Sequence, residues 1–291
     1  MVETSPSDPD VGILIDTEQP GRDPRGLWDA GRFPVATIEE LEGQRAPRAV
    51  ESQARLIVLD GDDRLVSRAL TVYQRHHRGR EKPLEFLPLE TGRFRRIAEE
   101  IGAPEPSARL ADRLAGSSVR SEAETHPRRT LKVTSSSRPA PIWGLSVGVG
   151  LLFRLFEMLL RSEGAGLRGI RSAVTELARE LTNQAGRRFE PVRARVTVDY
   201  QPWSDQLGYL MASGLRKSWL GVRLAEGDRP RWQGSESARG FIKKMAGAAA
   251  IPGFLRGAQA EGFVVDGELY DTGGAHVLQI APGPQIDFVT L

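Results

Sequence analysis

The sequence predicts an α/β domain followed by a mainly antiparallel β domain. Short apolar runs alternate with amphipathic helices in the first part of the chain, and strand-like alternation dominates the rest. A polar stretch at residues 116–128 separates the two patterns, and a length of 291 residues favours two domains over one. We therefore expect a disordered leader at residues 1–10, an α/β domain at 11–120 and a β domain at 121–291, with any ligand site in the cleft between the domains.

Each predicted strand of the α/β half is a short apolar run followed by a loop. The three runs are residues 11–15 (VGILI), 56–59 (LIVL) and 84–89 (LEFLPL). The second run leads into an amphipathic helix at residues 65–73, and the third leads into a helix that Gly102 closes after Ile101. A short helix follows at residues 108–115. Such repeats predict a parallel sheet whose binding edge lies at the carboxyl ends of the strands.

The second half alternates in the manner of β-strands. The predicted strands are residues 129–134, 192–200, 218–224, 262–269, 277–280 and 286–291. The last three lie close together, with Gly273-Gly274 and Pro282-Gly283 between them, which predicts a meander. Two helices interrupt the strands, at residues 151–181 and 237–248.

Composition excludes several function classes. The chain has 40 basic and 38 acidic residues, a net charge of +2, and no basic stripe of the kind that binds nucleic acid. It contains no cysteine, which excludes disulfides and thiolate metal sites. The N-terminus lacks the apolar segment of a signal peptide, and the apolar stretch at 142–153 is shorter than the roughly twenty residues of a membrane span. We expect a cytoplasmic protein; composition says nothing of its oligomeric state.

Three short motifs carry the chemistry, and their order is more informative than any one of them. The first is DGDDR at residues 60–64, between a buried strand and a helix. The second is LPLETG at residues 87–92, at the next strand-to-helix turn, and the third is DGE at residues 266–268.

In this order the motifs resemble those of the diacylglycerol kinase/sphingosine kinase family, in its bacterial lipid-kinase form. LIVL-DGDDR resembles the family's strand and Gly-Gly-Asp-Gly-Thr loop, LPLETGR followed by IGAP resembles its second turn and helix, and VVDGEL resembles its C-terminal Asp-Gly-Glu. The resemblance spans roughly residues 11–291. It implies a Rossmann-like α/β domain followed by a β-sandwich domain, the fold of NAD kinase and diacylglycerol kinase.

The resemblance also implies a mechanism and residue roles. Loop glycines let backbone amides approach the ATP phosphates, and the following helix N-terminus favours their charge. Phosphoryl transfer to a lipid hydroxyl then needs mainly positioning and charge neutralisation by Mg²⁺. The implied roles are catalytic base for Asp266, supporting acid for Glu268, Mg²⁺ ligand for Asp62, and nucleotide contact for Asp60, Gly61, Asp62, Thr91 and Gly92.

The chain departs from the family pattern where ATP would bind. Asp60, Asp63 and Glu90 stand in place of glycines, and Arg64 and Arg93 stand in place of threonine and asparagine. A carboxylate about 4 Å from a phosphate charge repels it by roughly 1 kcal/mol in water and about 4 kcal/mol at an effective dielectric constant near 20. We expect three acids facing the phosphates to weaken nucleotide binding, with Mg²⁺ and the two arginines offsetting part of the repulsion.

Two functions follow from the resemblance. The first is an ATP- and Mg²⁺-dependent kinase for a diacylglycerol, sphingoid or ceramide type of lipid, with peripheral contact at the inner membrane surface as an option. The second is a catalytically lapsed pseudokinase that acts as a lipid-binding or regulatory protein. Loss of the loop glycines favours the second, and the retained Asp-Gly-Glu favours the first. An unrelated nucleotide-binding protein has little support, because the chain has no intact glycine fingerprint.

Simpler interpretations stay open for each motif. Residues 60–64 and Thr91-Gly92 could be helix-capping turns, and residues 266–268 an ordinary hairpin turn. Ser146 lies in a Gly-x-Ser-x-Gly pattern, but the context of a serine hydrolase is missing. The helix that begins at Leu151 is expected in the core, or else as the wall of an acyl-chain pocket. The four histidines lack metal-ligand spacing, and we expect them at the surface.

Overall fold

The computed structural model divides the chain into two compact units. The first comprises residues Met1–Arg128 with Gln285–Leu291, and the second comprises Arg129–Pro284. The structure describes residues 11–17, 24–28, 33–42, 54–76, 84–116, 123–161, 195–198, 201–202, 209–216, 231–235, 262–272 and 277–291. The predicted boundary between residues 120 and 121 differs from this division in two respects, because the first unit extends to Arg128 and also includes the last seven residues.

The first unit is built on a parallel sheet. Its strands are β1 (Val11–Ile15), β2 (Val35–Thr37), β3 (Leu56–Asp60), β4 (Glu85–Pro88) and the end of β14 (Val277–Thr290). The order is β2-β1-β3-β4-β14, and each neighbouring pair is parallel. Strands β1 and β3 are buried along their whole length, as expected for parallel strands covered on both faces. The predicted parallel α/β fold is therefore confirmed.

Short helices follow the strands of the first unit. They are α1 (Pro24–Leu27), α2 (Ile38–Glu42), α3 (Asp63–His76), α4 (Arg96–Ile101) and α5 (Ala108–Leu114). Helix α3 buries Leu65, Val66 and Leu70, which share one helical face. Helix α4 ends at Gly102, whose φ of 72° is the left-handed conformation that favours glycine.

The second unit contains an antiparallel sheet covered by a helix. Its elements are β5 (Glu124–Ser135), β6 (Ile142–Gly144), β7 (Ser146–Gly150), α6 (Leu151–Arg161), β8 (Arg195–Val198), β9 (Gln201–Pro202), β10 (Tyr209–Ser213), β11 (Arg231–Ser235), β12 (Gly262–Val265) and β13 (Glu268–Asp271). The sheet order is β11-β10-β7-β12-β13, and all of these pairs are antiparallel. Helix α6 packs against β7, β10 and β12, and its apolar side lies in the core. Burial in the core was the first of the two expectations for the helix that begins at Leu151.

The prediction of a C-terminal meander was wrong. Residues 262–269 form two strands, β12 and β13, because Asp266 and Gly267 make a tight turn with φ values of 47° and 91°. Residues 277–290 form one strand, although Pro282-Gly283 was expected to be a turn. The strand continues because its first part pairs in parallel with β8 and its last part pairs in parallel with β4, so no reversal is needed at the prolines.

Several predictions lie outside the described residues. They are the leader at 1–10, the strand at 218–224, the helix at 237–248 and the continuation of α6 beyond residue 161. Within the part of the chain that is described, no helix has the length and apolar character needed to cross a membrane.

Candidate functional site

The turn from β3 into α3 is the predicted phosphate loop, and it is a buried structure. Asp60, Asp62 and Asp63 are each no more than 2% exposed. Gly61 lies so close to the following helix that a Cβ atom there would stand 2.8 Å from the Cβ of Leu65. The glycine is therefore required by packing, because any side chain at this position would collide with α3.

Asp60 bonds to an indole. Its Oδ2 accepts a hydrogen bond of 2.6 Å from Nε1 of Trp28, whose side chain is completely buried and packs edge-on against Phe33. A buried indole N–H requires an acceptor, and Asp60 supplies it. Asp60 therefore has an internal partner that the sequence analysis did not predict.

Asp63 caps the neighbouring helix. Its Oδ2 and Oδ1 accept bonds from the backbone amides of Arg96 (2.9 Å) and Ile97 (3.1 Å), at the beginning of α4. Its own amide donates to the carbonyl oxygen of Phe94 at 2.6 Å. The N-cap residue Arg95 makes no side-chain cap, so a carboxylate from another helix satisfies these donors.

Asp62 and Arg64 form a closed pair at the start of α3. Oδ1 of Asp62 accepts the Arg64 amide at 3.0 Å, and both carboxylate oxygens accept Nε of Arg64, at 3.1 and 3.0 Å. Nη2 of Arg64 also lies 4.0 Å from Oδ2 of Asp16, at the end of β1. The pKa of Asp62 is raised above its ordinary value, mainly because the side chain is buried. The charge and hydrogen bonds of Arg64 oppose this rise, and the nearby charge of Asp16 adds to it.

The second predicted turn touches the first. The hydroxyl of Thr91 donates to the carbonyl oxygen of Gly61 at 2.9 Å, and Gly92 adopts a left-handed φ of 73°. Glu90, the third acid expected to face a phosphate, lies 3.2 Å from Nη1 of Arg95. Burial, together with the neighbouring charge of Arg64, lowers the pKa of Arg93. Two arginines therefore lie near each other beside the loop.

The Asp-Gly-Glu motif forms the hairpin turn between β12 and β13. Asp266 is completely buried, and its two oxygens accept the amides of Leu145 and Ser146, each at 2.7 Å. Its amide donates to the carbonyl oxygen of Ser146 at 2.9 Å. Burial raises the pKa of Asp266 to about 7, although the two amide bonds act to lower it. Glu268, the first residue of β13, is half-buried.

Ser146 belongs to the same network and is not placed as a nucleophile. Its hydroxyl lies 2.8 Å from that of Ser213, and the residue is 1% exposed. Ser213 accepts the amide of Leu215 at 3.0 Å, and the amide of Gly214 donates to the carbonyl oxygen of Leu145 at 2.7 Å. Buried polar groups therefore connect the β6–β7 connection, the turn between β12 and β13, and the residues that follow β10.

The structure brings together part of the predicted site. Asp60, Gly61, Asp62 and Thr91 meet at the carboxyl edge of the parallel sheet, with Gly92 directly after Thr91, whereas Asp266 and Glu268 belong to the second unit. Among the described residues, no group of three or more histidine or acidic side chains is arranged to hold a metal ion.

Several partners of the site were missed in the sequence. They are Asp16, Trp28, Phe94, Leu145 and Ser213. Asp16 had a usable signal, because it directly follows a buried strand just as the acids of the 60–64 motif do. The others act over separations of about thirty residues or more along the chain, and no local pattern reports such contacts.

Three solved structures from Bacillus anthracis str. Sterne are similar to the chain over nearly its whole length. The first, described as a putative diacylglycerol kinase, has a TM-score of 0.57 and 14% identity, with 97% of each chain covered. The second carries the same description, with a TM-score of 0.54, 13% identity, and 99% of this chain and 98% of that chain covered. The third, described as a diacylglycerol kinase, has a TM-score of 0.53, 12% identity and 99% coverage of both chains.

No protein-family model matches the chain, and no curated protein gives a significant match. Identities of 12–14% establish similarity of fold alone. The chain therefore has the two-part α/β and antiparallel β fold of these diacylglycerol kinases, which is the fold that its motifs predicted.

Proposed function

We propose that this chain is a catalytically lapsed relative of the diacylglycerol kinase-like lipid kinases, acting as a lipid-binding or regulatory protein. One observation carries the proposal. Four backbone amides at the loop and at the start of the next helix, where a nucleotide phosphate would bind, are bonded to the protein's own groups.

Two of these amides belong to the loop and two belong to the start of α4. The amide of Asp63 donates to the carbonyl of Phe94, and the amide of Arg64 donates to the Asp62 carboxylate. The amides of Arg96 and Ile97 donate to the Asp63 carboxylate. A phosphate that took these donors would leave buried acceptors without partners, at a cost of about 1–3 kcal/mol for each group and more for charged ones. A phosphate would have to displace these four bonds, which supports the proposal that the loop has lost ATP binding.

The acids that replace glycine oppose ATP in a different way from the one expected. Asp60, Asp63 and Glu90 have internal partners in Trp28, in the first amides of α4 and in Arg95. The loss of donors therefore adds to the direct repulsion expected from these acids. Restoring glycines at Asp60 and Asp63 would remove an indole acceptor and a helix cap, so such variants would lose stability.

The geometry of Asp266 supports the same conclusion. A catalytic base must reach the hydroxyl proton that it removes, within about 3 Å or through one water molecule. Both oxygens of Asp266 face backbone amides, and the residue is fully buried. This arrangement suits a residue that holds the β6–β7 connection in place. The diacylglycerol or sphingoid character of the ligand rests on the similarity of fold.

An active ATP- and Mg²⁺-dependent lipid kinase is the second candidate function. The observation in its favour is the pair of arginines, Arg64 and Arg93, beside the loop, because arginine is suited to phosphate charge. Glu268 is the more accessible acid of the Asp-Gly-Glu motif and would act as the base in that case.

Calorimetry of the full chain with Mg²⁺-ATP, paired with a radiolabelled ATP assay on a lipid extract, separates the two functions. We expect no heat of ATP binding and no labelled lipid. Labelled lipid that disappears in Glu268→Gln, with Asp271→Asn as the exposed control on the same strand, would replace the proposal with the kinase. Flotation with vesicles containing diacylglycerol tests the lipid-binding part, and absence of binding to any lipid vesicle would remove it.

A further inference from the structure

The carboxyl ends of β1 and β3 bring two buried acids to the same place. The strands are parallel neighbours with Ile15 opposite Asp60, and the amide of Asp16 donates to the carbonyl oxygen of Asp60 at 3.2 Å. Asp16 is 6% exposed and Asp62 is 1% exposed, and the charge of Asp16 is close enough to raise the pKa of Asp62. A buried carboxylate is stabilised by pairing with a cation, and here one cation lies within reach of both.

The guanidinium of Arg64 supplies that cation. It is fixed on Asp62 through Nε, with bonds of 3.0 and 3.1 Å, and it reaches Asp16 through Nη2 at 4.0 Å. Its side chain is 25% exposed, so it approaches the acids from the solvent side of the loop. Arginine keeps its charge at every physiological pH, so this cation cannot be lost by titration.

We propose that Arg64 is a built-in cation that occupies the place of a divalent metal ion between Asp16 and Asp62 and holds the loop closed. The inference rests on the proposed function, because it identifies what keeps the phosphate loop in its lapsed form. Mg²⁺ and Mn²⁺ prefer oxygen ligands, and Mg²⁺ commonly binds to one or two carboxylates with water completing its shell. Two carboxylates without Arg64 would satisfy that minimum.

Removing the guanidinium tests the inference. We expect Arg64→Ala to bind Mg²⁺ or Mn²⁺ with a Kd of about 1 mM, in the range of weak carboxylate sites. At ten times that Kd the metal multiplies the ratio of folded to unfolded protein about 11-fold, which corresponds to a rise in Tm of about 2–6 °C. The wild-type protein should show no rise beyond that produced by NaCl at the same ionic strength.

Arg68→Ala is the matched control. Arg68 lies one turn further along α3 and bonds to Glu42, which is exposed, so its removal deletes an arginine without opening the buried pair. The Arg68 variant should respond to metal as the wild-type protein does. An equal metal response in Arg64→Ala and Arg68→Ala would overturn the proposal.

Two further variants keep the test decisive if Arg64→Ala folds poorly. Arg64→Lys retains a cation and should gain no metal site, whereas the double variant Arg64→Ala with Asp62→Asn should fold without gaining one. Metal binding by the double variant equal to that of Arg64→Ala would also overturn the proposal. The two hypotheses fail separately, because ATP turnover by the wild-type protein contradicts lapsed function and leaves the metal response of Arg64→Ala unaffected.

Discussion

At the scale of single residues, acidic side chains in the predicted phosphate loop accept hydrogen bonds from the protein's own amides and from Arg64, in the place where a phosphate would accept them. The carboxylate of Asp63 takes two amides at the start of α4, which is the kind of position where a bound phosphate is stabilised in other proteins. Asp62 holds Arg64 in the same self-contained manner. The amides of Asp63, Arg64, Arg96 and Ile97 therefore have acceptors within the protein.

Replacing Asp63 should therefore cost stability. We expect Asp63→Ala to lower the free energy of unfolding by about 1–2 kcal/mol, because two helix-terminal amides lose their acceptor. Urea denaturation measures the change. Glu99→Gln, on the exposed side of α4, is the control and should stay within about 0.5 kcal/mol of the wild-type protein. A loss no larger than that of the control would show that Asp63 does not cap the helix.

Asp266 should make stability depend on pH. Its carboxyl keeps its proton in the folded protein up to a pKa of about 7, whereas in the unfolded chain the pKa is near 3.8. The unfolded state thus releases this proton first as the pH rises, so the contribution of Asp266 to stability is full below about pH 3.8 and is lost as the pH approaches 7. The loss amounts to at most about 4 kcal/mol.

The measurement is the unfolding free energy between pH 4 and 8 for the wild-type protein and Asp266→Asn. The variant has no group that titrates at this position, so its profile should be flatter in that window. Asp271→Asn removes an exposed acid from β13 and should retain the wild-type slope. Parallel profiles for wild type and Asp266→Asn would contradict the assignment.

At the scale of secondary-structure elements, strands buried along their length were predictable, and so was the hairpin turn at residues 266–268, whereas the path of the last strand was not. The apolar runs of β1 and β3 and the Gly102 stop of α4 were identified within a residue or so, because burial and capping leave local patterns. The path of β14 was missed, because Pro282 and Gly283 are typical turn residues and only its parallel partners keep the strand extended.

Helix α6 shows that a strongly apolar helix need not contact a membrane. Leu152, Leu155 and Phe156 are at most 1% exposed, and the helix packs on β7, β10 and β12. We expect Phe156→Ala to lower the free energy of unfolding by about 3–5 kcal/mol, measured with guanidinium chloride. Arg161→Ala, at the exposed end of the same helix, should change it by less than about 0.5 kcal/mol. A small effect of Phe156→Ala would indicate that the apolar side is not in the core.

At the scale of the whole molecule, the fold and the site were predictable to different degrees. Three motifs in the right order were enough to predict the fold of the diacylglycerol kinases, although identity to the solved structures is only 12–14%. The behaviour of the site depends on bonds such as Trp28 to Asp60 and Leu145 to Asp266, which join residues 32 and 121 positions apart. The acids are visible in the sequence, and only the structure shows which groups they bond to.

Amide hydrogen exchange across residues 61–66 and 94–99, with and without Mg²⁺-ATP, tests the central claim most directly. If the amides of Asp63, Arg64, Arg96 and Ile97 are bonded to Phe94, Asp62 and Asp63, the exchange of these four amides should be slow in the free protein and should not change when nucleotide is added. Rapid exchange in the free protein that becomes slow with Mg²⁺-ATP would show that these amides are available to phosphate, and would contradict the account.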